Sequence, residues 1–168
     1  FTDNFAFGNV AIVTGDTVTL TGNDNTATPA NNALYVNGAL SLGNGATLAM
    51  NSHNAYLNGP LAVGDSPGLA TVSGPGTFAM TPSASFVVEI EGLTAGGEYD
   101  RLTVTNDGDI DLAGTLTLDV TGAAVANVGD LLFIISNGSG DTDGAFQYVQ
   151  GAVVDTLFYG KKWSISYE

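Results

Sequence analysis

Apolar and polar residues alternate one by one along this chain, in pieces of four to seven residues, and that period is the strand's own. Val18-Thr-Leu20, Leu40-Ser-Leu42, Leu61-Ala-Val63 and Phe78-Ala-Met80 each put apolar side chains on one face. Phe86-Val-Val88-Glu-Ile90, Leu102-Thr-Val104, Leu116-Thr-Leu118-Asp-Val120, Leu132-Phe-Ile134, Phe146-Gln-Tyr148 and Trp163-Ser-Ile165-Ser-Tyr167 continue the series. Turn clusters separate them, among them Gly43-Asn-Gly45, Gly74-Pro-Gly76, Asn106-Asp-Gly108 and Asn137-Gly-Ser-Gly140. The longest stretch without Gly or Pro, Ala46 to Asn58, has Asn-Ser-His-Asn at its centre. With 2 Lys and 4 Glu in 168 residues, the usual material of surface helices is missing. The chain reads as all-β.

The pieces recur. Gly38, Gly76 and Gly114 are each 38 residues apart, and Leu40 and Leu42, Phe78 and Met80, and Leu116 and Leu118 follow at the same offsets. A half-step copy, Asn58-Gly59-Pro-Leu61-Ala-Val63, echoes Asn37-Gly38-Ala-Leu40-Ser-Leu42. Halving the 38-residue spacing predicts a right-handed parallel β-helix, a β-solenoid of irregular coils of about 19 residues. About eight coils would make a rod roughly 40 Å long at the strand separation. The competing arrangement is an antiparallel β-sandwich, which has no reason to repeat a unit at fixed distance. The expected layout is a single domain over residues 1–168: an aromatic segment at 1–12, coils over 13–160 and a terminal strand at 161–168.

Seventeen acidic residues against three basic ones give a formal charge of −14 and a pI near 4.1. A surface that negative repels phosphate backbones and anionic headgroups, so nucleic acid is not an expected partner. The sequence has no run of about 18 apolar residues, so a transmembrane helix is not expected either. Absence of Cys removes disulfide and thiolate chemistry without fixing a compartment. A start at Phe1 rather than Met suits a mature exported chain or a fragment.

From about residue 57 to 167 the order of short pieces resembles the strand repeat in passenger regions of autotransporters and related secreted bacterial surface proteins. The pieces are Val63-Gly-Asp-Ser66-Pro67-Gly68, Gly76-Thr-Phe-Ala-Met, Ser85-Phe-Val-Val-Glu-Ile-Glu-Gly92, Tyr99-Asp100-Arg-Leu102-Thr-Val104, Leu112-Ala-Gly114-Thr-Leu116-Thr-Leu118, Gly129-Asp130, Phe133-Ile-Ile135, Gly144-Ala-Phe146 and Trp163-Ser-Ile-Ser-Tyr167. The resemblance implies a right-handed parallel β-helix, export, and a structural or adhesive role without catalysis. The chain departs from that pattern in carrying no membrane barrel.

Asp107, Asp109 and Asp111 alternate, so a strand would point all three the same way, and Asp141 and Asp143 form a second acidic pair in a Gly-bearing turn. Calcium takes six to eight oxygens, so carboxylates on adjacent loops make it the one cofactor these residues could hold; a solvated strand face and an Asx-turn are the simpler accounts. Twelve of the 17 acids fall between Glu89 and Asp155. His53 is the only histidine and has no neighbouring ligand set. Glu89 and Glu91 have the spacing of a glycosidase pair, though on a β-helix they would face solvent while Phe86, Val88 and Ile90 face the core. Thr17-x-Thr19-x-Thr21, Thr103-x-Thr105 and Thr115-x-Thr117 have the form of ice-binding ladders; as short, separately placed pairs they are explained by surface β-propensity.

The ends carry the candidate subunit interface: Phe1, Phe5 and Phe7 at one, Lys161, Lys162, Trp163, Ile165 and Tyr167 at the other. Joining two different surfaces head to tail propagates into a filament. The expected function is therefore a secreted structural protein, a subunit of a head-to-tail extracellular fibre or surface layer whose partners are copies of itself. A cell-surface adhesin or glycan-binding stalk is the alternative, and a polysaccharide-active enzyme the third reading.

Overall fold

Strands that alternate in sequence must bury one face, and here they do so by winding around a common axis. The computed structural model describes residues 5–21, 33–65, 67–121, 127–151 and 164–167. The first turn of the coil is β1 (Phe5–Phe7), β2 (Val10–Ile12) and β3 (Thr17–Thr19). The second is β4 (Leu34–Val36), β5 (Leu40–Leu42) and β6 (Ala46–Ala49), and the third β7 (Ala55–Leu57), β8 (Pro60–Val63) and β9 (Leu69–Ser73). The fourth is β10 (Gly76–Met80), β11 (Ser85–Ile90) and β12 (Arg101–Thr105). The fifth is β13 (Gly108–Leu112), β14 (Thr115–Val120) and β15 (Ile135–Asn137), followed by β16 (Thr142–Gly144) and β17 (Tyr148–Gly151).

Each turn visits three sheets in order. Sheet A stacks β1-β4-β7-β10-β13-β16, sheet B β2-β5-β8-β11-β14-β17 and sheet C β3-β6-β9-β12-β15. Neighbours within every sheet pair parallel, which excludes the antiparallel sandwich. The fold is a right-handed parallel β-helix.

The coil length differs from the one the 38-residue spacing implies. Leu34 pairs with Ala55 and Ala55 with Phe78, steps of 21 and 23 residues, whereas Phe78 to Ile110 and Ile110 to Thr142 are steps of 32. Gly38 and Gly114 precede strands of sheet B while Gly76 opens a strand of sheet A, so the 38-residue match joins positions that never stack. The half-step copy is the structural one: Leu40 lies over Leu61 and Leu42 over Val63. The six rungs among the described residues rise about 24 Å from first strand to last, where eight coils would give roughly 40 Å.

Inward residues of successive rungs form apolar ladders. Val36, Leu57 and Met80 stack in sheet A, Leu40, Leu61, Phe86 and Leu116 in sheet B, and Leu48, Val72 and Val104 in sheet C. All are within a few per cent of complete burial. Corners hold the rungs in register through side-chain hydrogen bonds. Asn9 Oδ1 accepts from the Ala39 amide at 2.9 Å, and Asn58 Nδ2 donates to Asn37 Oδ1 at 2.8 Å.

The fourth rung is long because residues 91–99 form a looped corner between β11 and β12. Glu98 closes it: its Oε2 accepts from the Leu93 and Thr94 amides at 3.0 and 2.9 Å. The Thr94 hydroxyl, then these amides, hold the Glu98 carboxyl below its ordinary value.

Candidate functional site

The outer faces of the three sheets differ in chemistry, and the candidate residues divide among them. On sheet A, Tyr35 lies in register with Tyr56, and the rings stack with centroids 4.9 Å apart and planes 19° apart. The same outward column continues through Ala79 to Asp111 and Asp143.

The structure thus brings the two acidic candidates together across neighbouring rungs. Asp111 and Asp143 are directly opposite on β13 and β16. Asp109 Oδ1 accepts from the Asp141 amide at 2.9 Å, tying the second acidic turn to the first strand. Partial burial raises the Asp111 carboxyl above its ordinary value, and the charges of Asp143 and Asp109 raise it further. Asp107 departs from the expected alternation. It sits in the corner before β13 with φ of 60°, which breaks the strand's pleat, and its amide donates to Ser139 Oγ at 3.0 Å. Among the described residues no three or more His, Cys, Asp or Glu side chains are arranged to hold a metal ion.

On sheet B, Glu89 faces outward in register with Asp119, and Glu91 is exposed beyond the end of β11. Glu89 lines a cavity of about 160 Å³ with Ala62, Val63, Gly64, Asp65, Val87 and Asp100. That is smaller than the roughly 300–1,000 Å³ of pockets that enclose drug-sized ligands. Asp100, part of the Tyr99-Asp100 piece but not among the candidate site residues, is 2% exposed. Its two oxygens accept from the Gly68 and Glu89 amides, each at 2.8 Å, so one carboxylate clamps the β8–β9 corner to β11. Burial pushes the Asp100 carboxyl up to about 6, against the lowering effect of those two amides. The Thr14 hydroxyl donates to Asp65 Oδ2 across the same edge.

His53 is buried in the corner between β6 and β7, beside Asn51 and Ser52, both of positive φ. It shapes a corner and lies among no metal-holding group of described residues.

Sheet C corrects the expectation about threonine. Thr17, Thr47, Thr71, Thr103 and Ser136 stand in register on successive strands, all facing outward. Thr19, Ala49, Ser73 and Thr105 form a second column beside them. The Thr17 and Thr103 pairs are therefore two rows of one array. Thr115 and Thr117 belong to sheet B, and Thr21 lies beyond β3.

At the ends, Phe1, Lys161, Lys162 and Trp163 lie outside the described residues. Phe5 packs against the core and Phe7 is 48% exposed. Ser164 to Tyr167 carry no strand, contrary to the expected terminal strand. Ile165 instead packs on the core, and the Tyr167 ring lies 6.4 Å from Phe146, which in turn contacts Phe86. Among the described residues no helix is long and apolar enough to cross a membrane. Comparison of the chain with protein-family models, with curated proteins and with solved structures finds no match.

Proposed function

We propose that the protein is an extracellular structural rod that extends by stacking copies head to tail. One observation carries this reading. Phe7 and Val18 occupy inward positions of the first rung yet are 48% and 42% exposed, while Val36 and Leu48, which stack on them, are 1% exposed. A further rung laid on β1, β2 and β3 would bury both and extend all three parallel ladders. The opposite end presents different side chains, so the contact is heterologous and propagates. The resemblance to passenger-region repeats agrees with export and with a structural role.

Sedimentation and electron microscopy across a concentration series test the proposal. Filaments or a concentration-dependent length distribution are expected, and deletion of residues 1–7 is expected to leave folded monomers. Dispersed monomers of the intact chain at every ionic strength would overturn the fibre.

The stacked Tyr35 and Tyr56 on the outer face favour a second reading, a glycan-binding stalk, since tyrosine gives an apolar ring with a polar tip. A glycan array with Tyr56→Ala as control tests it, and a blank array removes it.

A further inference from the structure

The three faces share a backbone and a β-propensity, but not a composition. Sheet A presents Tyr35, Tyr56, Ala79, Asp111 and Asp143 in its outward column. Sheet B presents Ala11, Ser41, Ala62, Val87 and Thr117, with Glu89 and Asp119 at its margin. Sheet C presents hydroxyls at every position of two adjoining columns except Ala49, with Leu69 and Arg101 in register beside them. In a chain of charge −14, those columns hold no ionisable residue. Propensity alone would spread threonine over all three outer faces.

The array is regular in two directions. Strand separation sets about 4.8 Å between rungs, and alternate residues along a strand are about 6.7 Å apart. The threonines are stiff at χ1, so methyl and hydroxyl positions are largely fixed before anything binds. Apart from Ser73, which accepts from Asn106 Nδ2, these hydroxyls have no protein hydrogen-bond partner among the described residues.

We infer that the outer face of sheet C binds ice. A lattice of solid water is neutral, periodic in two dimensions, and able to give and receive a hydrogen bond at every site. A fixed grid of hydroxyls interleaved with methyl groups meets each of those features. Ordered water bridges hydroxyls at little enthalpic loss, and a repeating ligand surface lets many weak contacts act at once. The two columns lack the aromatic platforms and charged groups that single out a sugar; Arg101 stands on the same outer face, in register with Leu69 and beside the Thr71–Thr103 pair. The inference is independent of whether rods stack, because the face lies along the rod rather than at its ends.

The test is to grow an ice front slowly through a solution of the full chain and measure the protein trapped in the ice, alongside ice recrystallisation. The wild type is expected to be enriched in the ice fraction, and Thr71→Lys combined with Thr103→Lys to reduce that enrichment by about tenfold or more as simultaneous contacts are lost. Thr117→Lys, the same change on sheet B, is expected to bind as wild type. Melting curves confirm folding, and Thr17→Lys on the exposed first rung repeats the test away from the centre of the sheet. No enrichment of the wild type, equal loss in Thr117→Lys, full retention in folded Thr17→Lys and Thr71→Lys/Thr103→Lys, or adhesion to crystalline cellulose or chitin without ice enrichment would each overturn the assignment.

Discussion

Asp111 stands directly opposite Asp143 on adjacent parallel strands of sheet A, two carboxylates in register on one outer face. Like charges in that position destabilise by roughly 0.2–1 kcal/mol. Asp143→Asn is therefore expected to stabilise the fold by about that amount at pH 7, measured by urea denaturation. The folded pKa of Asp111 lies above its unfolded value. Its contribution to stability is thus complete below the unfolded pKa and lost as pH rises through the folded one. The gain from Asp143→Asn should accordingly shrink in acid.

The same patch decides the question of calcium. Repulsion alone predicts that excess chelator leaves Tm unchanged and that added calcium does not reverse the effect of Asp143→Asn. A fall of several degrees in chelator would instead reveal a bound cation, since a ligand selective for the folded state raises Tm by mass action. Thermal melts with and without chelator distinguish the two.

Asp100 makes the opposite kind of contribution. Asp100→Ala leaves the Gly68 and Glu89 amides without their acceptor, at about 1–3 kcal/mol for each buried group. Because burial moves this carboxyl from 3.8 to about 6, the wild type gains stability from its protonation as pH falls from above 6 to below 4. The margin of wild type over Asp100→Ala should therefore be larger at pH 4 than at pH 7.5. Denaturant midpoints at the two pH values check the sign.

Two glycines separate packing from chain entropy. A Cβ at Gly59 would collide with the carbonyl oxygen of Gly38 one rung below, so Gly59→Ala is expected to cost roughly 1–3 kcal/mol. A Cβ at Gly97 meets nothing within 4 Å, so Gly97→Ala should be neutral or stabilise by about 0.4–1 kcal/mol. Melting curves of both variants test the corner stacking.

Leu42 is fully buried between Ile12 and Val63 in the ladder of sheet B. Leu42→Ala is expected to cost about 2–5 kcal/mol, read from the denaturant midpoint.

Much of this architecture is written locally. Alternation at Leu40-Ser-Leu42 and Leu61-Ala-Val63 dictates strands with one buried face, and the copied Asn-Gly ahead of each dictates equivalent corners. These follow from sterics and hydrogen bonding within a few residues. Which strands stack does not. Thr17, Thr47, Thr71 and Thr103 share a column at unequal steps of 30, 24 and 32 residues. The only local hint is a Thr-Val or Thr-Leu pair followed by Thr, Ala or Ser. Asp100 stands in the Tyr99-Asp100 piece, but its role shows only once the looped corner at 91–99 sets its carboxylate against the Gly68 and Glu89 amides. The backbone ladder fixes the distance between rungs but leaves corner length free. Sequence therefore determines the strands and their inward faces, while the tertiary winding alone decides which outward side chains meet.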